Sequence, residues 1–217
     1  MEPGLLGILD GIFTAHPPRT IVEVGAADGQ DTVEYAKHFP AAQIHAFEPM
    51  PDNVDLLVAN TSAEPRIFVH PVALGTEAGL HEFYTSGGAA PGWSGHVGQD
   101  GWPYSGSLRA PQDHLQHHPW CTFKKTCVLV CRFDDFDTIE HVDYVHMDVQ
   151  GAELDVLRGG TKLLSARAIW LEVANVPLYA GQPLRADVVR FMESVGYRLL
   201  LDTAGVHNVA GDQLWTR

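Results

Sequence analysis

The sequence predicts an α/β fold: an open, mostly parallel sheet with an antiparallel C-terminal edge hairpin and one long irregular segment. Three observations predict it. Apolar runs such as "TIVEV", "QIHAF" and "AIWLEV" alternate with helical repeats, the pattern of parallel strands joined by crossover helices. After the last helix, "YRLLLDT" and "NVAGDQLWTR" can pair through Gly205. Between Ser86 and Trp120 the periodicity vanishes. An irregular segment of that length inside a compact domain is usually a functional lid or a disordered loop.

Taken in order, "GLLGILDGIF" repeats apolar residues at helical spacing and predicts a short covering helix. "TIVEVG" is a buried strand, "DTVEYAKHF" a helix stopped before Pro40, and "AQIHAFEP" the next strand. "DNVDLLVAN" opens on a capping Asp52 or Asn53 and sets Val54, Leu57 and Val58 on one face. "RIFVHPVAL" reads as one strand and "LHEFYT" as a short one behind a glycine turn. "CVLVCRF", "DYVHMDVQG" and "AIWLEVA" are strands, with helices over 152–157 and "RADVVRFMESVG". No repeat or second domain is visible, so residues 1–217 are expected to form one domain with a lid over about 86–120.

Net charge is −13, from 14 Lys plus Arg against 27 Asp plus Glu. Such a surface repels a phosphate backbone, which argues against a nucleic-acid partner. No stretch reaches the roughly 18 apolar residues of a membrane span. Three cysteines, Cys121, Cys127 and Cys131, are not a disulfide framework. The expectation is a cytoplasmic protein without a membrane partner.

The turn after the first strand, "EVGAADGQ", carries two carboxylates where such turns usually hold phosphate. A dinucleotide fingerprint would need glycine at Gly25, Ala27 and Gln30, and only the first has it. Glu23 and Asp28 suit a ligand with a cationic end, and S-adenosylmethionine has two positive groups. Glu48, ending the second strand, is placed to accept ribose hydroxyls, which serves NAD equally well. A solvent-facing, capping role for Glu23 is the simpler alternative.

"VEVGAADGQDTVEYA", "HAFEPMPDN", "VALGTEAGLHEFY", "SGSL", "RFDDF" and "VHMDVQGAELDVLRGG" occur in that order, and in this the chain resembles the FkbM-type methyltransferases. The resemblance covers about residues 20–175. It implies a Rossmann-like class I methyltransferase sheet and an S-adenosylmethionine-dependent enzyme that methylates hydroxyls of sugars or natural products. It also implies that Glu23, Gly25, Asp28 and Thr32 surround the methionine end of the cofactor and that Glu48 holds the ribose. Ala73, beside Val72, would border the adenine. Ser107 would lie over the cofactor, although Gly106 replaces one member of the family's serine pair.

His146 and Asp148 alternate to the same side of "DYVHMDVQG", at the strand's carboxyl end. The family usually has lysine where this chain has His146. An imidazole can accept a proton near neutral pH, so His146 is the candidate general base, with a core histidine as its alternative. Asp148 and Glu172 are candidate ligands for Mg²⁺, with Asn175 as a further candidate contact for acceptor or metal; Asp148 could instead only orient the cofactor or His146. Glu153 starts a helix and reads as a dipole-stabilising residue.

Trp93, Trp102, Tyr104 and Trp120 share the irregular segment with His96, His114, His117 and His118. Aromatic faces suit sugar C–H faces and imidazoles suit their hydroxyls, although the rings could merely anchor the loop. Trp93 and Tyr104 are therefore candidate acceptor contacts. Zinc on His114, His117, Cys121 and Cys127 is disfavoured by spacing, and Cys127, Leu129 and Cys131 alternate as buried thiols would. The expected acceptor is a small molecule or oligosaccharide, such as a partly methylated mannoside or glucoside of a polysaccharide, and a homodimer is the candidate assembly. An NAD-dependent oxidoreductase and a non-catalytic S-adenosylmethionine-binding module are the alternatives.

Overall fold

The computed structural model describes residues 4–92, 101–205 and 208–217. Its elements, in order, are α1 (Leu5–Phe13), β1 (Thr20–Val24), α2 (Gln30–His38), β2 (Gln43–Phe47), α3 (Pro51–Thr61), β3 (Ile67–His70), β4 (Ala73–Leu74) and β5 (Gly79–Gly88). They continue with α4 (His114–His117), β6 (Cys121–Cys131), β7 (Tyr144–Met147), α5 (Glu153–Gly159), β8 (Ala168–Ala174), α6 (Arg185–Ser194), β9 (Arg198–Asp202) and β10 (Ala210–Thr216).

Seven strands form one sheet in the order β3-β2-β1-β7-β8-β10-β9. β10 runs antiparallel to both β8 and β9, so the tail hairpin inserts its second strand beside the parallel body. The order reverses at β1, and ligands of open α/β sheets bind at such a switch point, beyond the carboxyl ends of the strands. One face buries Leu5, Leu9, Phe13 and Tyr35 from α1 and α2 against Ile21 and Tyr144. The other buries Val156, Leu157, Val188 and Met192 from α5 and α6 against Val145 and Ile169.

Three expectations are corrected. "RIFVHPVAL" splits at Pro71, which has no N–H to give a ladder. Only β3 joins the main sheet; β4 turns away into a second sheet of order β4-β6-β5. The short "LHEFYT" strand is instead the ten-residue β5, paired without a break from Gly79↔Val130 to Gly88↔Cys121. The irregular segment is thus carried at the end of a β-ribbon, pinned by bridges Tyr84↔Ser107, Gly88↔Gly101 and Pro111↔Tyr179. Finally, β6 buries Val128 and Val130 and turns Cys127 and Leu129 outward, so the Cys127 thiol lies on the open face of the ribbon, while Cys131 is half-buried against the main core.

Helix α3 begins on Pro51, whose fixed φ suits the first helical position, rather than on a capping Asp52 or Asn53. It buries Leu57 but leaves Val58 half-exposed. The "LRGG" end of α5 has a packing cause. A Cβ on Gly159 would lie 1.9 Å from the Gly75 carbonyl oxygen, between α5 and the β4–β5 turn. Gly159→Ala should therefore destabilise the protein by about 1–3 kcal/mol, the usual cost of overpacking, read as a lowered urea midpoint with an unchanged slope.

Candidate active site

The carboxyl ends of β1, β2 and β7 surround a cavity. Gly25, Ala27, Glu48, Met50, Asn53, Ala73, Tyr104, Asp148 and Gln150 are among its walls. Gly25 is required twice over. Its φ of +85° favours glycine, and a Cβ there would lie 1.9 Å from the Asp148 carbonyl oxygen. The β1–α2 loop can therefore approach the end of β7 and leave the cavity between them.

Glu48 is buried at the cavity wall and ties two loops together. One oxygen accepts the Ala27 N–H at 2.9 Å and the other the Met50 N–H at 2.9 Å. Burial pushes its carboxyl up to about 7 against those bonds. On the far side, Val72, Ala73, Leu74, Phe83 and Leu108 make an apolar wall, the surroundings expected for a purine ring beside a ribose. Asn53, which the sequence offered only as a helix cap, lines the same cavity and donates to the Pro103 carbonyl at 3.3 Å, joining α3 to the lid segment.

The other acids of the first turn lie off the cavity. Asp28 is buried, and its carboxylate takes the Tyr104 hydroxyl at 3.2 Å and the Gln30 amide at 2.8 Å. Tyr104 therefore closes over the loop as well as the cavity. Glu23 is also buried; it accepts from the Thr32 hydroxyl and faces His146 Nδ1 at 3.5 Å. Thr32 is wholly buried in that bond. Neither Glu23, Thr32 nor His146 is a cavity wall.

Glu23 and His146 are cross-strand partners in the β1–β7 register, with the Tyr35 ring edge-on to the imidazole at 5.6 Å. Burial works against the imidazolium, but the Glu23 carboxylate, then Asp31 and Asp148, outweigh it and hold the His146 pKa above the ordinary histidine value.

Asp148, open at the cavity mouth, and half-buried Glu172 converge on one donor. The Gln150 side-chain amide gives 2.7 Å to Asp148 and 3.0 Å to Glu172. Enclosure raises both carboxyls, and for Glu172 the neighbouring Asp148, Glu153 and Asp212 add to the rise. No lysine or arginine among the described residues pairs with either.

Gln150 was missed by residue-type reasoning. It sits at φ +53°, followed by Gly151 at +95°, a tight left-handed turn that "QG" could have signalled. Its carbonyl accepts from Ser107 Oγ at 2.8 Å, and Tyr179 donates to its side-chain oxygen at 2.8 Å. Ser107 thus buttresses the Gln150 turn, while its neighbours Gly106 and Leu108 line the cavity. Asn175 is turned elsewhere: its amide donates to Ala204, Gly205 and Asn208 carbonyls and clamps the C-terminal hairpin. Trp93 lies outside the described residues, as does His96.

Glu153 begins α5 as expected, but it is buried and its carboxylate takes the Gly151 N–H at 3.0 Å and the Val149 N–H at 3.4 Å. Its task is to hold the loop that carries Asp148 and Gln150. Burial pushes this carboxyl up to about 7.

Switch-point cavity, glutamate at the end of β2 and apolar far wall together define a nucleoside-cofactor site, and the two glycines missing from the β1–α2 turn, at Ala27 and Gln30, speak against a dinucleotide. The comparisons with known proteins agree. The Methyltransferase FkbM domain matches residues 23–199, and the chain belongs to that family. A 2-O-methyltransferase, NoeI, of Sinorhizobium fredii (strain NBRC 101917 / NGR234) is 35% identical over 176 residues, covering 78% of this chain and 70% of that protein. Two solved structures share the fold at low identity. Precorrin-6y C5,15-methyltransferase from Geobacter metallireducens GS-15 has a TM-score of 0.53 at 11% identity, covering 100% of this chain and 90% of its own. A putative O-methyltransferase from Klebsiella pneumoniae has a TM-score of 0.53 at 14% identity, covering 100% and 80%. The protein is an S-adenosylmethionine-dependent methyltransferase.

The raised carboxyl of Glu153 has a measurable consequence. A buried acid whose folded pKa is about 7 favours the folded state fully below its unfolded value near 4.5 and loses that contribution as pH rises through 7. Glu153→Gln should therefore gain stability relative to the wild type between pH 4.5 and 8. Urea unfolding across that range reads the difference, and a constant or reversed difference would show the acid ionised in the fold.

Proposed function

We propose that the enzyme transfers the methyl group to a hydroxyl of a saccharide. The observation that carries the reading is the acidic rim of Asp148 and Glu172 at the cavity mouth, beside an aromatic lid. Trp102 packs edge-on to Tyr104 at 5.0 Å and to Trp120 at 5.4 Å, with His118 next to Trp120 at 5.6 Å. Rings to cover sugar C–H faces and carboxylates to bind hydroxyls suit such an acceptor. The name of the 2-O-methyltransferase relative supports oxygen as the receiving atom, and an acceptor from a partly methylated mannoside or glucoside fits the same rim.

In this reading Gly25 and Glu48 position the cofactor, with Asp148 facing its cationic end. His146, behind the cavity wall two residues before Asp148, takes up the hydroxyl proton in its neutral form, and the Glu23 carboxylate stabilises the imidazolium that forms. Aligning acceptor and methyl group supplies most of the rate. Asp148 and Glu172 are suited to Mg²⁺, since they converge on one amide donor and no lysine or arginine among the described residues pairs with either. An ion held there would bind and polarise the acceptor hydroxyl. The net charge of −13 speaks against nucleic acid as acceptor, and three unpaired cysteines suit a cytoplasmic protein. No helix among the described residues is long and apolar enough to cross a membrane.

Calorimetric titration should show S-adenosylhomocysteine binding and no comparable NAD binding; tighter NAD binding would overturn the assignment of the cavity. Glu48→Ala should weaken S-adenosylhomocysteine by about 1–3 kcal/mol, the cost of unpaired buried donors.

A screen of saccharides with label-bearing S-adenosylmethionine identifies the acceptor. On it, His146→Ala should lower turnover by about 10²–10⁴ with cofactor affinity unchanged. Near-normal turnover would move the base elsewhere. Chelation should abolish activity and Mg²⁺ restore it, whereas full turnover in metal-free buffer would leave Asp148 and Glu172 as direct acceptor contacts.

A further inference from the structure

We infer that Glu23, Asp31 and His146 form a second, separate cation site, of the kind that takes Zn²⁺, and that loading it switches off His146. One ligand atom from each residue lies within 4.8 Å of the other two. His146 Nδ1 is buried without a hydrogen-bond partner. It faces Glu23 at 3.5 Å, too far for a good hydrogen bond. That spacing is close to the ~3.4 Å between two ligands each about 2.1 Å from one tetrahedral ion.

The site is built on rigid elements. Glu23 and His146 are register partners on β1 and β7, and Asp31 stands in the first turn of α2. The Thr32 hydroxyl fixes one Glu23 oxygen and leaves the other toward His146, the arrangement that orients a metal-binding carboxylate. Tyr35 closes one side of the imidazole, and half-buried Asp31 supplies the approach from solvent. One imidazole with two carboxylates suits a borderline cation, whereas Mg²⁺ demands an all-oxygen octahedron. Where the family usually has lysine, a fixed cation would fill this place; histidine leaves it to an exchangeable one.

The consequence follows from the two ring nitrogens. An ion on Nδ1 places the neutral ring's proton on Nε2, so the ring becomes a donor and can no longer accept a proton. The switch rests on the proposed base; the ion site does not.

The metal-stripped full chain is titrated with ZnCl₂ by calorimetry, with MgCl₂ as the comparison, in the wild type, Asp31→Asn and His146→Ala. One Zn²⁺ equivalent should weaken at least tenfold in both variants, while Mg²⁺ binding stays the same in wild type and Asp31→Asn. Zn²⁺ isotherms that do not differ from the wild type would overturn the site and assign any zinc to the lid histidines. Should His146→Ala fail to fold, Asp31→Asn alone decides. On the acceptor found by the saccharide screen, Zn²⁺ should inhibit the wild type, and Asp31→Asn should need at least tenfold more Zn²⁺ to lose the same fraction of its own metal-free turnover. Zinc that binds through Asp31 without inhibiting would overturn the switch and the base role together, and leave the ion site standing.

Discussion

Burying carboxylates at the carboxyl edge of one sheet is the constraint on which the rest of this structure depends. Glu23, Glu48 and Glu153 are each nearly inaccessible to water, and an ionised carboxylate is stable there only if every lone pair finds a donor. Glu48 and Glu153 solve this with backbone N–H groups, Ala27 and Met50 for one, Gly151 and Val149 for the other. Glu23 takes a hydroxyl and stands at ion-pair distance, 3.5 Å, from an imidazole. Each solution fixes a piece of chain at the site. The β1–α2 loop is held to β2, and the β7–α5 loop to the start of α5. The cavity is what remains between loops shaped by these bonds.

The same constraint explains the site's electrostatics. Acids flank the cavity on both sides, and their carboxyls are raised by burial or enclosure. A ligand carrying positive charge relieves that cost, so the site suits a cation rather than a pyrophosphate. Gln150 lowers the cost within the protein itself: its neutral amide, held in a left-handed turn by Ser107 and Tyr179, donates to both Asp148 and Glu172. The cost of that backbone conformation is about 1–3 kcal/mol, which the two charge-assisted hydrogen bonds offset.

Much of this was legible in the sequence, and the division has physical causes. Strands and helices that pack on their own neighbours announce themselves by periodicity, so β1, α2, β2, β7 and β8 were visible, as was the tail hairpin. The second sheet was not. β5 pairs with β6 across the whole lid segment, and nothing local encodes which distant strand will return. Site residues divide in the same way. Glu48 and Gly25 do their work where the chain first places them, at the ends of their own strands. Asn175, Ser107 and Gln150 depend on where a remote loop comes to rest. The resemblance implied a cofactor role for Ser107, whose hydroxyl braces the Gln150 turn, and the sequence offered no role for Gln150. Glu153 was read as a helix-dipole residue because its loop contacts exist only once the turn at Gly151 is formed.

His146 is the point where fold and chemistry meet most closely. Its position opposite Glu23 is set by strand register, so a residue there must answer a buried carboxylate whatever else it does. A lysine meets that demand with a permanent charge and stays fixed. Imidazole meets it conditionally, because it can be neutral or charged near physiological pH, and the surrounding Glu23, Asp31 and Asp148 favour the charged form against the pull of burial. Replacing a fixed cation with a titratable one turns a structural ion pair into a group that can take up a proton or an ion without disturbing the sheet. The backbone ladder of β1 and β7 holds the strands whichever state the ring adopts. At this position the scaffold tolerates chemistry because its hydrogen bonds do not depend on the side chain.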